Sequence, residues 1–162
     1  MRKILLSVAV LAITLATGPV RAEILQRYNT GNWVIDANAD RGTFQNCTAT
    51  GQYGGGAAVM FMLTRDVVWG MAITNPKWNW RSGSEGAVSY RIDSFAQRNG
   101  RARAMTATQL LIPLADSQSL FHEIRQGNNM YFNPQGAEGF SITLIGTSVA
   151  LTELMSCVRR YR

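Results

Sequence analysis

The sequence predicts a mainly β domain of the α+β class: an antiparallel sheet, arranged as a sandwich or a partly open barrel, with one short helix and a C-terminal helix packed on it. Three observations predict it. Apolar and β-branched stretches of strand length recur between turns bearing Gly, Asn and Pro. One stretch near the C-terminus carries its apolar residues at helical spacing instead. Two cysteines, Cys47 and Cys157, stand far apart in a chain that opens with an export signal, which favours a bridge between the two ends of a domain.

The opening stretch comes first in the argument because it sets the compartment. Arg2 and Lys3 precede an apolar run from Ile4 to Thr17. Gly18 and Pro19 break that run, and Val20-Arg21-Ala22 places acceptable residues before a cleavage point. This is the pattern of a secretory signal over residues 1–22. The run is also shorter than the ~20 apolar residues needed to cross a bilayer. No cysteine stands at the cleavage point, so lipid attachment there is excluded, and the mature chain is expected to carry no transmembrane helix. Residues 23–162 are left as a single β-rich domain. Arg2, Lys3 and Arg21 leave with the signal, so sixteen basic residues become thirteen against ten acidic ones, a net charge of +3. That mild surplus argues against nucleic acid as a partner, for which a basic stripe is expected. With 46% hydrophobic residues the chain is also not of the disordered class.

Along residues 23–162 the elements follow in order. Glu23 to Gly31 is expected to be a mobile lead-in. Strands are expected over 32–36 and 43–50 with a turn over 38–42, then a glycine-rich connection over 52–56. Further strands are expected over 57–64 and 67–74, joined at Arg65-Asp66. Pro76, Gly83 and Gly86 mark 75–86 as a loop. A strand over 87–97 is expected to turn at Asn99-Gly100, a pair suited to a type I′ hairpin, and to return over 101–112. A polar–apolar mismatch in that register points to a bulge or a wider loop. Asp116 or Ser117 can cap a short helix that presents Leu120, Phe121 and Ile124 and stops at Gly127. Short strands are expected at 130–132 and 140–145. The last helix runs to about Tyr161, with Ala150, Leu151, Leu154, Val158 and Tyr161 on one side. Cys157 shares that side, so the pattern docks the helix on the sheet and brings Cys157 to Cys47.

No catalytic or metal motif is legible. His122 is the only histidine, and His122-Glu123 lacks the second histidine of HExxH because position 126 is Gln. Two cysteines and one histidine cannot supply four zinc ligands at the usual spacings. Gly83-Ser84-Glu85-Gly86 lacks the nucleophile-elbow spacing. Asp36 and Asp93 read as polar groups at strand ends, not as a paired acid and base. Gly54 to Gly56 precede a strand, whereas phosphate-cradling glycines open helices. No catalytic residue, metal ligand or cofactor is assigned.

Two surface features remain. The segment holding Lys77, Trp78, Trp80 and Arg81 interleaves aromatic and basic residues and is the candidate partner-binding surface, able to meet a protein, a glycan or an envelope surface if its rings face outward. The other outcome is that one or both tryptophans fold back over the core. Arg98, Arg101 and Arg103 form a secondary basic patch suited to an anionic partner.

Several local patterns carry a family resemblance. Trp33-Val34-Ile35 is followed by a cysteine-bearing strand, Phe44-Gln45-Asn46-Cys47. Later, Phe140-Ser141-Ile142-Thr143-Leu144-Ile145-Gly146 leads into Thr147-Ser148-Val149-Ala150-Leu151 and closes on Leu154 and Cys157. The chain thereby resembles the small secreted proteins of the invasion-associated locus B type from Gram-negative bacteria, from whose pattern it departs in lacking a close early pair of cysteines. The resemblance implies a periplasmic or secreted factor linked to host interaction and carries over no catalytic residue. The expected function is thus an exported, non-enzymatic binding or host-interaction factor. A hydrolase with a site assembled from dispersed residues and an inhibitor presenting the 75–86 loop are the rivals.

Overall fold

The computed structural model describes residues 22–114 and 118–162. The expected signal sequence, apart from Ala22, and the Asp116 and Ser117 cap positions lie outside the described residues. Ten strands and two helices follow in the order β1 (Ala22–Thr30), β2 (Trp33–Asp40), β3 (Thr43–Gln52), β4 (Ala58–Thr64), β5 (Trp69–Thr74), β6 (Glu85–Ile92), β7 (Arg98–Thr106), β8 (Gln109–Pro113), α1 (Gln118–Gln126), β9 (Asn129–Pro134), β10 (Phe140–Thr143) and α2 (Thr147–Tyr161). Among the described residues no helix is long and apolar enough to cross a membrane.

The fold is mainly β and antiparallel, as the sequence predicts. All ten strands belong to one sheet, in the order β1-β2-β3-β4-β5-β8-β7-β6-β9-β10. It is not a two-sheet sandwich, and the outer strands β1 and β10 do not pair, so the sheet is open. The first five strands form a meander. The chain then skips three places to β6 and returns through β7 to β8, which pairs with β5.

Register explains the core. Residues opposite one another share a face. Ile35, Ala49, Phe61, Met71 and Ile112 stand in one row across β2, β3, β4, β5 and β8, all buried. Ala37, Cys47, Leu63 and Trp69 form the next row. Burying the Ile, Leu, Met and Phe side chains among them contributes roughly 1.5–3 kcal/mol each. Onto this face α2 lays Ala150, Leu151, Leu154, Cys157 and Val158, all buried. Its last ring, Tyr161, stacks on Phe44 at 5.5 Å between centroids. The Cys47–Cys157 disulfide, with Cα atoms 6.2 Å apart, joins sheet and helix across 110 residues. On the opposite face of β5, Gly70 and Ala72 are buried as well; they sit beside the longer Met60 and Met62 of β4.

The sheet curls until distant strands meet. The Tyr53 hydroxyl, just after β3, donates to the Thr143 carbonyl of β10 at 2.9 Å. Trp33 Nε1, at the start of β2, donates to the Ile145 carbonyl at 3.4 Å.

Several local expectations need correction. Residues 23–31 are no mobile lead-in: 23–30 form β1 with Ala22, paired along β2 and fixed by the Arg27–Asp36 ion pair at 2.7 Å, and Gly31 opens the turn between the two strands. The turn after β2 is Arg41-Gly42, and Asn38 to Asp40 remain in the strand, accommodated by a bulge at Gln45 of β3. Val67 and Val68 lie before β5, with Val67 at a φ of 64°. Asn99-Gly100 is not a hairpin tip. Both residues lie inside β7, and Gly100 faces Val88, where a Cβ would stand 3.7 Å from the Tyr90 ring. The turn falls at 93–97 instead. There the Asp93 carboxylate accepts the backbone N–H groups of Asn128 and Asn129 at 2.8 and 2.9 Å. The expected single strand over 101–112 is two strands, β7 and β8, joined at Ala107-Thr108, with a bulge near Met105.

Candidate functional site

The segment between β5 and β6 is pinned along the end of the β7–β8 hairpin. Backbone N–H groups of Asn75 and Trp80 donate to the carbonyls of Thr108 and Ala107 at 2.9 and 2.8 Å. Gly83 donates to the Ala104 carbonyl, and Ala104 donates back to Ser84, both at 2.8 Å. The side-chain oxygen of Asn75 accepts the Lys77 N–H at 3.0 Å, closing a local turn. This ordering fixes where each side chain of the Asn75–Trp80 stretch points.

Trp78 folds back onto the core and is only 8% exposed. Its ring meets Trp80 edge-on at 5.9 Å and Phe140 edge-on at 5.3 Å. Phe140 in turn stacks on Phe132 at 5.0 Å. Trp78 is therefore a largely buried prop beneath the cleft. Trp80 and Phe140 are half-buried, while Lys77 and Arg81 are exposed. Of the sequence-derived candidates, Lys77, Trp78 and Trp80 come together in one cleft of about 530 Å³. Arg81 is not among its lining residues.

The other wall of this cleft is the loop from Gly136 to Phe140 between β9 and β10. It is held by the Gln135 N–H, which donates to the Ala87 carbonyl at 2.9 Å. Gly139 passes so close to β9 that a Cβ there would collide with the Asn133 side chain and lie 3.0 Å from the Phe132 carbonyl oxygen. Gly136 lies alongside the Trp80 ring, 3.6 Å from where its Cβ would be. Asn75, Asn79 and Glu138 complete the cleft with amide and carboxylate groups. Sequence reasoning missed Glu138 and Phe140, because they reach the cleft only through the curl of the sheet. The residues of β10 carry no signal of proximity to a loop more than fifty positions earlier. The indole Nε1–H of Trp80 is enclosed and has no acceptor among the described residues. An unmet donor of this kind costs about 1–3 kcal/mol.

The basic patch is smaller than expected. Arg98 is held by Glu123 of α1 in a two-pronged ion pair at 2.6 and 2.8 Å, with side chains 20% and 13% exposed. It ties α1 to the start of β7. Arg101 and Arg103 remain exposed on the outer face of β7, and Arg101 lies 3.4 Å from Glu85. The three arginines do not converge.

His122 is exposed on α1, its ring edge-on to Phe121 at 6.3 Å, and it does not line the cleft. Asp36 is occupied by Arg27, and Asp93 by the amides of Asn128 and Asn129. The Asp93 carboxyl is held below its ordinary value, first by the Asn128 N–H and then by that of Asn129. A smaller groove of about 240 Å³ lies between β4, β5 and the two helices, lined by Leu63, Trp69, Phe121 and Met155 among other chiefly apolar residues.

No family model matches the chain, and no curated protein matches it. Among solved structures, the fold is similar to that of invasion associated protein b from Bartonella henselae. The TM-score is 0.64 at 18% sequence identity, and the match covers 85% of this chain and 99% of that one. The resemblance legible in the two cysteine-bearing segments is thus matched by the fold.

Proposed function

We propose that this chain is an exported, disulfide-closed binding factor of a Gram-negative bacterium, periplasmic or secreted, that works by contact with a partner rather than by catalysis. The observation that carries this reading is the fold likeness, over almost the whole of its counterpart, to a protein named for its association with invasion. Two further features support it. The signal pattern over residues 1–22 would deliver residues 23–162 to an oxidising compartment, the setting in which a bond such as Cys47–Cys157 persists. The cleft of Lys77, Trp80, Glu138 and Phe140 offers a rigid concave surface with half-buried rings and exposed polar groups, the composition of a binding site.

The test is capture of partners by the mature, oxidised protein from envelope extract and from host-cell lysate. A variant carrying Lys77→Glu and Asn79→Ala runs beside it, since both positions are exposed and outside the core. The expected result is a partner retained by the native protein and lost by the folded variant. Retention of nothing from either source would overturn the reading.

A further inference from the structure

We propose that the cleft between Trp80 and Phe140 is a binding site for an uncharged oligosaccharide, an inference that rests on the binding-factor reading above and names its ligand. A sugar ring offers an apolar face of C–H groups and a rim of hydroxyls that both donate and accept. Its complement is an aromatic wall flanked by mixed polar groups. The cleft has that form. Trp80 and Phe140 are half-buried rings held by the buried Trp78, which meets both edge-on. Asn79 supplies an amide able to donate and accept, Lys77 supplies donors and Glu138 supplies acceptors. The volume, about 530 Å³, lies within the range of small-molecule sites.

Charge selects among ligand classes. The cleft carries one cation, Lys77, and one anion, Glu138. A phosphorylated, sulfated or sialylated chain would meet Glu138 without a cationic cluster to offset it. The exposed arginines Arg101 and Arg103 lie on β7, outside the cleft. Both walls are fixed by backbone hydrogen bonds, so binding would order little of the protein.

The experiment is calorimetric titration of the mature, oxidised protein with neutral trisaccharides built on glucose, galactose, mannose and N-acetylglucosamine. Sialylated and sulfated counterparts run beside them, with Trp80→Phe and Asn79→Ala as variants. Trp80→Phe keeps a ring but narrows the aromatic wall; Asn79→Ala alters an exposed side chain, so its melting temperature stays native. The expected result is saturable binding of at least one neutral trisaccharide, weakened about tenfold by each variant, the scale of losing one well-placed contact. No binding by any neutral probe, binding only by the anionic ones, or binding indifferent to both variants would overturn the inference. Capture from extracts separates the two levels. A protein partner still captured after the extract is enzymatically deglycosylated, in the absence of trisaccharide binding, overturns the glycan site and leaves the binding-factor reading standing. Neither trisaccharide binding nor any captured partner overturns both.

Discussion

Cys157 near the end of α2 is bonded to Cys47 in the middle of β3, and both are buried, at 1% and 0% exposure. The bond lies between the docked face of α2 and the row formed by Ala37, Leu63 and Trp69. A loop of 110 residues closed this way removes conformational freedom from the unfolded chain worth about 4–5 kcal/mol in the chain-entropy model. Replacing both cysteines with alanine is expected to lower stability by roughly 3–5 kcal/mol, a small part of it from two buried sulfurs. Urea unfolding of the double variant beside the oxidised protein measures this. An unchanged midpoint would mean that the apolar contacts of α2 alone fix it.

Trp78→Ala is expected to destabilise by about 3–5 kcal/mol, the usual cost of emptying a buried aromatic site. Lys77→Ala and Asn79→Ala, on either side of it and exposed, should each stay within about 0.5 kcal/mol of the native protein. Equilibrium unfolding of the three variants checks the alternation. Equal, small effects at all three positions would place Trp78 at the surface.

What was legible in the sequence divides by physical cause. The strands that carry Ile35, Phe61 and Met71, and the α2 face of Leu151, Leu154 and Cys157, were legible from apolar pattern, and the disulfide followed from that face together with the even cysteine count. Glycine was the misleading residue. Asn99-Gly100 reads locally as a turn, yet both residues are paired inside β7, where a Cβ at Gly100 would make only ordinary contact with Tyr90 and Val88. Gly127 does end α1 as its pattern predicts, but it is not among the residues with positive φ. It serves packing, and packing partners are set by tertiary contacts that no local pattern reports. The cleft was half legible for the same reason. Lys77, Trp78 and Trp80 drew notice through composition, whereas Glu138 and Phe140 arrive only because β10 curls back.

Gly127→Ala tests that account directly. A Cβ at this position would collide with the Ile92 side chain, lie 2.8 Å from the Glu123 carbonyl oxygen and 3.3 Å from Leu144. The neighbours are backbone and core, so little can yield. A loss of about 1–3 kcal/mol is expected, typical of overpacking. Gly54→Ala, where a Cβ meets nothing within 4 Å and φ is not positive, is the control and should be near neutral. Thermal unfolding of both compares them; equal melting temperatures would refute the packing role.

Asp93 predicts an acid limb in stability. Its carboxylate accepts the Asn128 and Asn129 N–H groups, and its pKa is depressed below the ordinary 3.8. A depressed carboxyl stabilises the folded state fully above its unfolded pKa, and that contribution is lost as pH falls through the folded value. Stability should therefore fall below about pH 3.8 in part through this group. Asp93→Asn should be less stable at neutral pH and show a shallower decline on acidification. Unfolding midpoints taken from pH 7 downward would show parallel curves if Asp93 contributes nothing.

Tyr53 predicts the opposite limb. Burial raises its phenol from the ordinary 10.0 to about 12, and its hydroxyl donates to the Thr143 carbonyl, linking the end of β3 to β10. The neutral phenol is the form the fold favours. A raised pKa means that the folded chain holds its proton over an interval where the unfolded chain has released it. The contribution is complete below pH 10 and is lost as pH rises from there through about 12. Tyr53→Phe removes both the titration and the donor. It should be less stable than the native protein at neutral pH by about 0.5–1.5 kcal/mol, the net worth of one hydrogen bond. Above pH 10 the gap should narrow, because the native protein alone must then keep a proton that alkali withdraws. A gap that stays constant across that interval would show that the fold does not raise the Tyr53 phenol above its ordinary value.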